Sequence, residues 1–114
     1  MIDRPEYFDN YKNMKSEAVI QALSALAHPS RLEIFRLLVK RGPEGYAPGE
    51  LGDRLSIPGP TLSFHLKELA HSGLIESRRE GRFLYYSASM EHMNSLVSFL
   101  TRGCSSSRSG TTPA

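Results

Sequence analysis

From Ser16 onward the apolar residues recur every three or four positions, and Val19, Ala22, Leu23 and Leu26 share one helical stripe. His28-Pro29 interrupts that run, and proline fits a first helical turn. The spacing therefore predicts a second helix over residues 30–40, with Leu32, Phe35 and Leu38 or Val39 inward. Gly42, Pro43, Gly45 and Pro48 read as a loop. A short third helix over 48–55 pairs Leu51 with Leu55 at i, i+4. Ser56-Ile57-Pro58-Gly59 forms a turn, and Pro60 opens a fourth helix over 60–72 whose inward stripe is Leu62, Leu66 and Leu69. Ser72-Gly73 supplies its stop, because glycine takes the left-handed conformation after a last turn. The residues then become strand-like over 74–79 and 82–87, around a Glu80-Gly81 turn. A fifth helix over 89–101 places Met93, Leu96, Val97 and Leu100 on one face.

The predicted class is mainly α with a small β-hairpin, five helices plus a wing. Residues 51–87 hold a short helix, a tight turn, an amphipathic helix, a stop and a basic hairpin, in that order. This is the order of a winged helix-turn-helix, which offers one helix to the DNA major groove and one finger to the flanking backbone. Opposite the leucine stripe lie Pro60, Phe64, Lys67 and His71, with Thr61 and Glu68 beside them. Pro58 and Gly59 allow close approach of the turn to a backbone, and Thr61 and Ser63 offer hydroxyls to phosphates or base edges. Lys67 suits a phosphate. Phe64 has two readings, contact with thymine methyl groups or packing against a loop. His65, beside the leucines, is expected to pack one ring edge while the other caps or touches a phosphate. Arg78, Arg79 and Arg82 surround the hairpin tip, as DNA contacts or as a solvated strand end partly offset by Glu76 and Glu80.

Composition narrows this picture without creating it. The 114 residues suit a single small domain, and a hydrophobic fraction of 39% gives it a modest core. Residues 58–86 carry four basic and three acidic side chains, so shape and position must contribute more than bulk charge. Two copies are then needed for tight binding. The first and last helices have more apolar face than one small core absorbs. They either close the monomer or pair two chains, and pairing would set two recognition helices about one DNA turn, roughly 34 Å, apart. No phosphate-cradling glycine loop, paired-cysteine motif or converging acid–base set is visible, so an enzyme is not expected. The lone Cys104 excludes an internal disulfide framework and suggests a reducing, cytoplasmic setting. No run approaches the ~20 apolar residues of a membrane span, and the charged N-terminus lacks a signal-peptide core. The expected divisions are an N-terminal arm (1–14, loosely ordered or extending the first helix), the DNA-binding and dimerisation domain (15–101) and a disordered tail (102–114).

The run ALSALAHPSRLEIFRLL, followed by GELGDRL, PTLSFHLKELAHSGLI and SRREGRFLYYS, resembles the ArsR/SmtB family of bacterial repressors over about residues 16–104. The resemblance implies a homodimer that binds double-stranded operator DNA and blocks transcription until an inducer, often a metal or metalloid, releases it. Two inducer sites of that family are missing. Ala47 and Gly49 stand where the third-helix site has cysteines. The fifth-helix site needs an Asp-x-His pair, whereas this region has only His92 and no aspartate follows Asp53. The arsenic-responsive subtype is matched more closely at FLTRGCSS, where Cys104 takes the first of two cysteine positions and Ser105 the second. Trivalent arsenic or antimony is therefore the implied inducer. Arsenic prefers three soft thiolates, and a dimer supplies two. The alternatives are a two-thiolate site, an alteration at Ser105, an oxidant sensed at Cys104, an inert thiol without small-molecule sensing, or a winged helix that binds protein.

Overall fold

The computed structural model describes residues 8–10 and 13–103. Two short strands, β1 (Phe8–Asn10) and β2 (Asn13–Met14), pair antiparallel ahead of α1 (Ser16–Leu26). The described part of the N-terminal arm is thus a pair of short strands and not an extension of the first helix. The rest of that expectation, residues 1–7 and 11–12, lies outside the described residues. Then follow α2 (Pro29–Arg41), α3 (Pro48–Leu55), α4 (Gly59–His71), β3 (Ile75–Glu80), β4 (Phe83–Ala88) and α5 (Met90–Thr101). Five helices and a hairpin in this order reproduce the expected architecture.

Local chemistry explains the boundaries. The His28 Nδ1 accepts from the Ser30 backbone N–H at 3.1 Å and caps α2, whose first residue is Pro29. The Glu50 carboxylate reaches back to the Ala47 N–H at the start of α3. Ser89 accepts from the His92 N–H and starts α5. At the end of α4 the Ser72 hydroxyl, almost fully buried, donates to the Leu69 carbonyl at 2.8 Å, and Gly73 follows with φ +87°. The hairpin turn lies at Gly81-Arg82, one residue later than expected.

The core gathers Ala18, Val19 and Ala22 of α1, Ile34, Phe35 and Leu38 of α2, Leu51 of α3, the α4 leucines, Leu74, Ile75 and Leu96. Two expected core positions are exposed instead. With about 100° per residue, the buried arc of α2 is centred between Ile34, Phe35 and Leu38, which leaves Leu32 on its flank and 45% exposed. The same geometry on α1 puts Leu23 beside Ile20 on an outer strip, because Ala18, Val19, Ala22 and Ala25 take the inner one. On α5 only Leu96 of the expected face is fully buried. Val97 and Leu100 face out with Met90.

Candidate nucleic-acid interface

The leucine stripe of α4 is buried as expected: Leu62, Leu66 and Leu69 keep 3% exposure or less. That anchoring turns Pro60, Thr61, Phe64, Lys67, Glu68 and His71 outward, together with Pro58, Gly59 and Ser63. Phe64 keeps 54% of its surface exposed and does not lie under a loop. Its ring stands 5.7 Å from that of His65. Among the described residues, the protruding face of α4 is therefore small at its entrance, Pro58 to Thr61, and polar beyond it apart from Phe64.

His65 corrects the sequence reading. It lies about 40° around the helix from Leu69, at the edge of the buried arc, and only 5% of it is exposed. Its ring is 4.7 Å from that of His28, and the Arg31 guanidinium lies 3.3 Å from its Nδ1. Arginine can only donate, so Nδ1 must hold a lone pair. Arg31 also donates to the Ala25 carbonyl at 2.8 Å. Desolvation holds the His65 pKa below the ordinary histidine value, and the His28 and Arg31 charges push in the same direction against an opposing effect of Glu68. His65 thus ties α4 to the α1–α2 junction and does not face outward. Nothing in the spacing of His28, Arg31 and His65 signalled this cluster, since Arg31 and His65 are 34 residues apart along the chain.

The wing is arranged by strand alternation. Directly opposed residues share a sheet face, and the register pairs Arg79 with Leu84 and Arg78 with Tyr85. Leu84 and Tyr86 form one wall of a groove of about 680 Å³ whose other wall is Ser63, Leu66, Lys67 and His71 of α4. Arg79 therefore projects on the sheet face that looks at α4. Arg82 is exposed in the turn. Arg78 points to the opposite face, where its guanidinium meets the Pro43 and Glu44 carbonyls and the Glu80 carboxylate. All three predicted wing arginines are exposed, but Arg78 is tied down to the α2–α3 loop and Glu80.

Sequence reasoning missed Tyr46. Its backbone exchanges hydrogen bonds with Tyr86 at 2.9 Å each way, joining the α2–α3 loop to β4. Its ring is 6% exposed and lies within 5 Å of the Arg41 and Arg54 guanidiniums. A lone aromatic in a glycine- and proline-rich loop was the available signal. Among the described residues, no three histidine, cysteine, aspartate or glutamate side chains converge as a metal site, and no helix is long and apolar enough to cross a membrane. Cys104 and Ser105 lie outside the described residues.

Residues 26–78 match the family model of a helix-turn-helix domain. The biofilm growth-associated repressor of Xylella fastidiosa is 34% identical over 84 residues, which cover 73% of this chain and 70% of that protein. Among solved structures, the ArsR-like transcriptional regulator from Rhodococcus sp. RHA1 superposes with a TM-score of 0.70 at 28% identity, over 75% of this chain and 78% of the other. The chain belongs to the ArsR/SmtB family of winged helix-turn-helix regulators. A homodimeric winged helix-turn-helix DNA-binding domain from Mycobacterium bovis, described as a possible ArsR-family regulator, is also similar. It has a TM-score of 0.61 and 30% identity, over 74% of this chain and 73% of that one. As an ArsR-family member the chain is a DNA-binding transcriptional regulator and not an enzyme. In that fold α4 takes the place of the second helix of the helix-turn-helix and the β3–β4 hairpin that of the wing.

Proposed function

We propose that this ArsR-family protein is a cytoplasmic homodimeric repressor that occupies double-stranded operator DNA through two copies of α4. The observation that carries this reading is the division of α4 into a buried leucine stripe and an exposed face of Thr61, Ser63, Phe64 and Lys67 beside the Arg79 side of the wing. Hydroxyls and Lys67 suit phosphates and base edges, while the Phe64 ring suits thymine methyl groups. Arg79 and Arg82 suit the phosphates of the flanking backbone, and Pro58 and Gly59 leave the helix entrance slim.

The dimer reading is supported by an outer apolar strip. Ile20 and Leu23 of α1 and Met90, Val97 and Leu100 of α5 are 41–66% exposed, and α1 and α5 lie in contact. Pairing this strip about a two-fold axis would hide it and leave the α4 faces free. The similar Mycobacterium bovis domain is homodimeric, and the Xylella fastidiosa relative is a repressor. A trivalent arsenical or antimonial acting at Cys104 is the inducer the family resemblance supports, with two thiols per dimer.

The test begins with selection of bound duplexes from a random-sequence pool, followed by fluorescence anisotropy of the enriched duplex and sedimentation in solution. A dimer with salt-dependent, sequence-selective binding is expected. No duplex binding at any salt concentration would overturn the proposal. Arsenite and antimonite are then titrated against the complex, with Cys104→Ser as control. Release only from the unsubstituted protein supports the inducer reading, and an intact complex removes it.

A further inference from the structure

Arg78 sits in the most basic stretch of the chain, and its residue type alone would assign it to DNA. Its geometry assigns it elsewhere. The Nε donates to the Glu80 carboxylate at 2.7 Å, while the two terminal nitrogens donate to the Pro43 and Glu44 carbonyls at 3.2 and 3.3 Å. Between these ends the guanidinium passes 4.9 Å from the centre of the Tyr85 ring, its cross-strand neighbour. All three guanidinium nitrogens are engaged within the protein, and the side chain spans from β3 across β4 to a loop 35 residues earlier. That loop is itself fastened: Tyr46 pairs with Tyr86, and Arg41 holds both the Gly45 carbonyl and the Glu44 carboxylate.

We propose that Arg78 is a positioning residue that sets the angle of the wing relative to the recognition helix, acting on DNA affinity without touching DNA. The proposal rests on the DNA-binding reading above. Three observations support it. Its charge, although 41% of the side chain is exposed, is already paired with Glu80 at 2.7 Å. Strand alternation places it on the sheet face opposite the α4 groove. The two carbonyls it bridges need the planar fork of arginine, and the point charge of lysine cannot span carbonyls and carboxylate together. A two-stranded hairpin is marginal by itself, so a tie to the domain body decides how far its tip wanders.

The salt dependence of binding separates a strut from a phosphate contact. Each lost phosphate contact lowers the slope of log K against log[salt] by about 0.9. The duplex enriched from the random pool is titrated over several salt concentrations with the wild type, Arg79→Ala, Arg78→Ala and Arg78→Lys. Arg79→Ala is expected to reduce the slope by about one unit per protomer. Arg78→Ala is expected to weaken binding on the order of five- to tenfold with the slope unchanged. Arg78→Lys keeps the charge and is expected to bind as poorly as Arg78→Ala. Thermal melts check folding, and amide hydrogen exchange without DNA is expected to accelerate at residues 79–83 in both Arg78 variants. Binding by Arg78→Ala equal to wild type, a slope reduced as in Arg79→Ala, rescue by lysine, or unchanged exchange would each overturn the proposal. A wild type that binds no duplex would instead overturn the DNA-binding reading, with the exchange comparison still able to decide the strut.

Discussion

Replacing Gly45 with alanine tests how the wing is attached, because Gly81 provides a matched control. The two residues have nearly the same positive backbone angle, φ +70° at Gly45 and +67° at Gly81. A left-handed conformation costs a residue with a Cβ about 1–2 kcal/mol, and alanine recovers about 0.4–1 kcal/mol by restricting the unfolded chain. Gly81→Ala meets nothing within 4 Å and should lose only this difference, roughly 1 kcal/mol. At Gly45 the added Cβ would stand 2.3 Å from the Tyr86 carbonyl oxygen and 3.0 Å from its carbon, and both are backbone atoms. Relief requires separating the loop from β4, which breaks the reciprocal Tyr46–Tyr86 hydrogen bonds at about 1 kcal/mol each. The Gly45→Ala loss should therefore be about 3 kcal/mol or more, a large part of the stability of a small domain. The assay is urea unfolding at fixed protomer concentration, since association contributes to the apparent stability. Equal losses for the two variants would show that the loop–wing junction yields freely, and the account of a fixed wing would fail.

Three further outcomes are expected. His65 has a folded pKa below its unfolded value near 6.5, so the unfolded chain binds the extra proton first. This contribution is complete above about pH 6.5 and is lost as the pH falls toward the folded pKa. The burial-lowered pKa of His92 acts in the same direction. Denaturant midpoints at pH 7.5 and 5.5 should show lower stability in acid, and His65→Gln should flatten the difference; an unchanged difference removes His65 from the account. Ser72→Ala should cost about 1–2 kcal/mol by leaving the helix end without its buried hydroxyl, with no loss of stability as the contrary result. Val97→Glu, on the outer strip of α5, should shift sedimentation toward monomer while circular dichroism stays unchanged; a persistent dimer would place the interface elsewhere.

Much of this molecule was legible in one dimension because its signals are local. A helix that must bury one face repeats its apolar residues, so Leu62, Leu66 and Leu69 announced α4 and, by elimination, its exposed side. Proline at a first turn and Ser72-Gly73 at a last one are backbone effects, which is why those boundaries fell within a residue or two. The alternation of a hairpin around a glycine is equally local. What needed the third dimension was the partner of each side chain. His65 and Leu32 sit at the margins of helical arcs, and their burial depends on where neighbouring helices happen to lie. Arg78 and Arg79 are adjacent and chemically identical, yet the pleat sends one to the α2–α3 loop and leaves the other on the face turned toward α4. Periodicity specifies which residues share a face, whereas only packing between segments far apart in sequence specifies what that face meets.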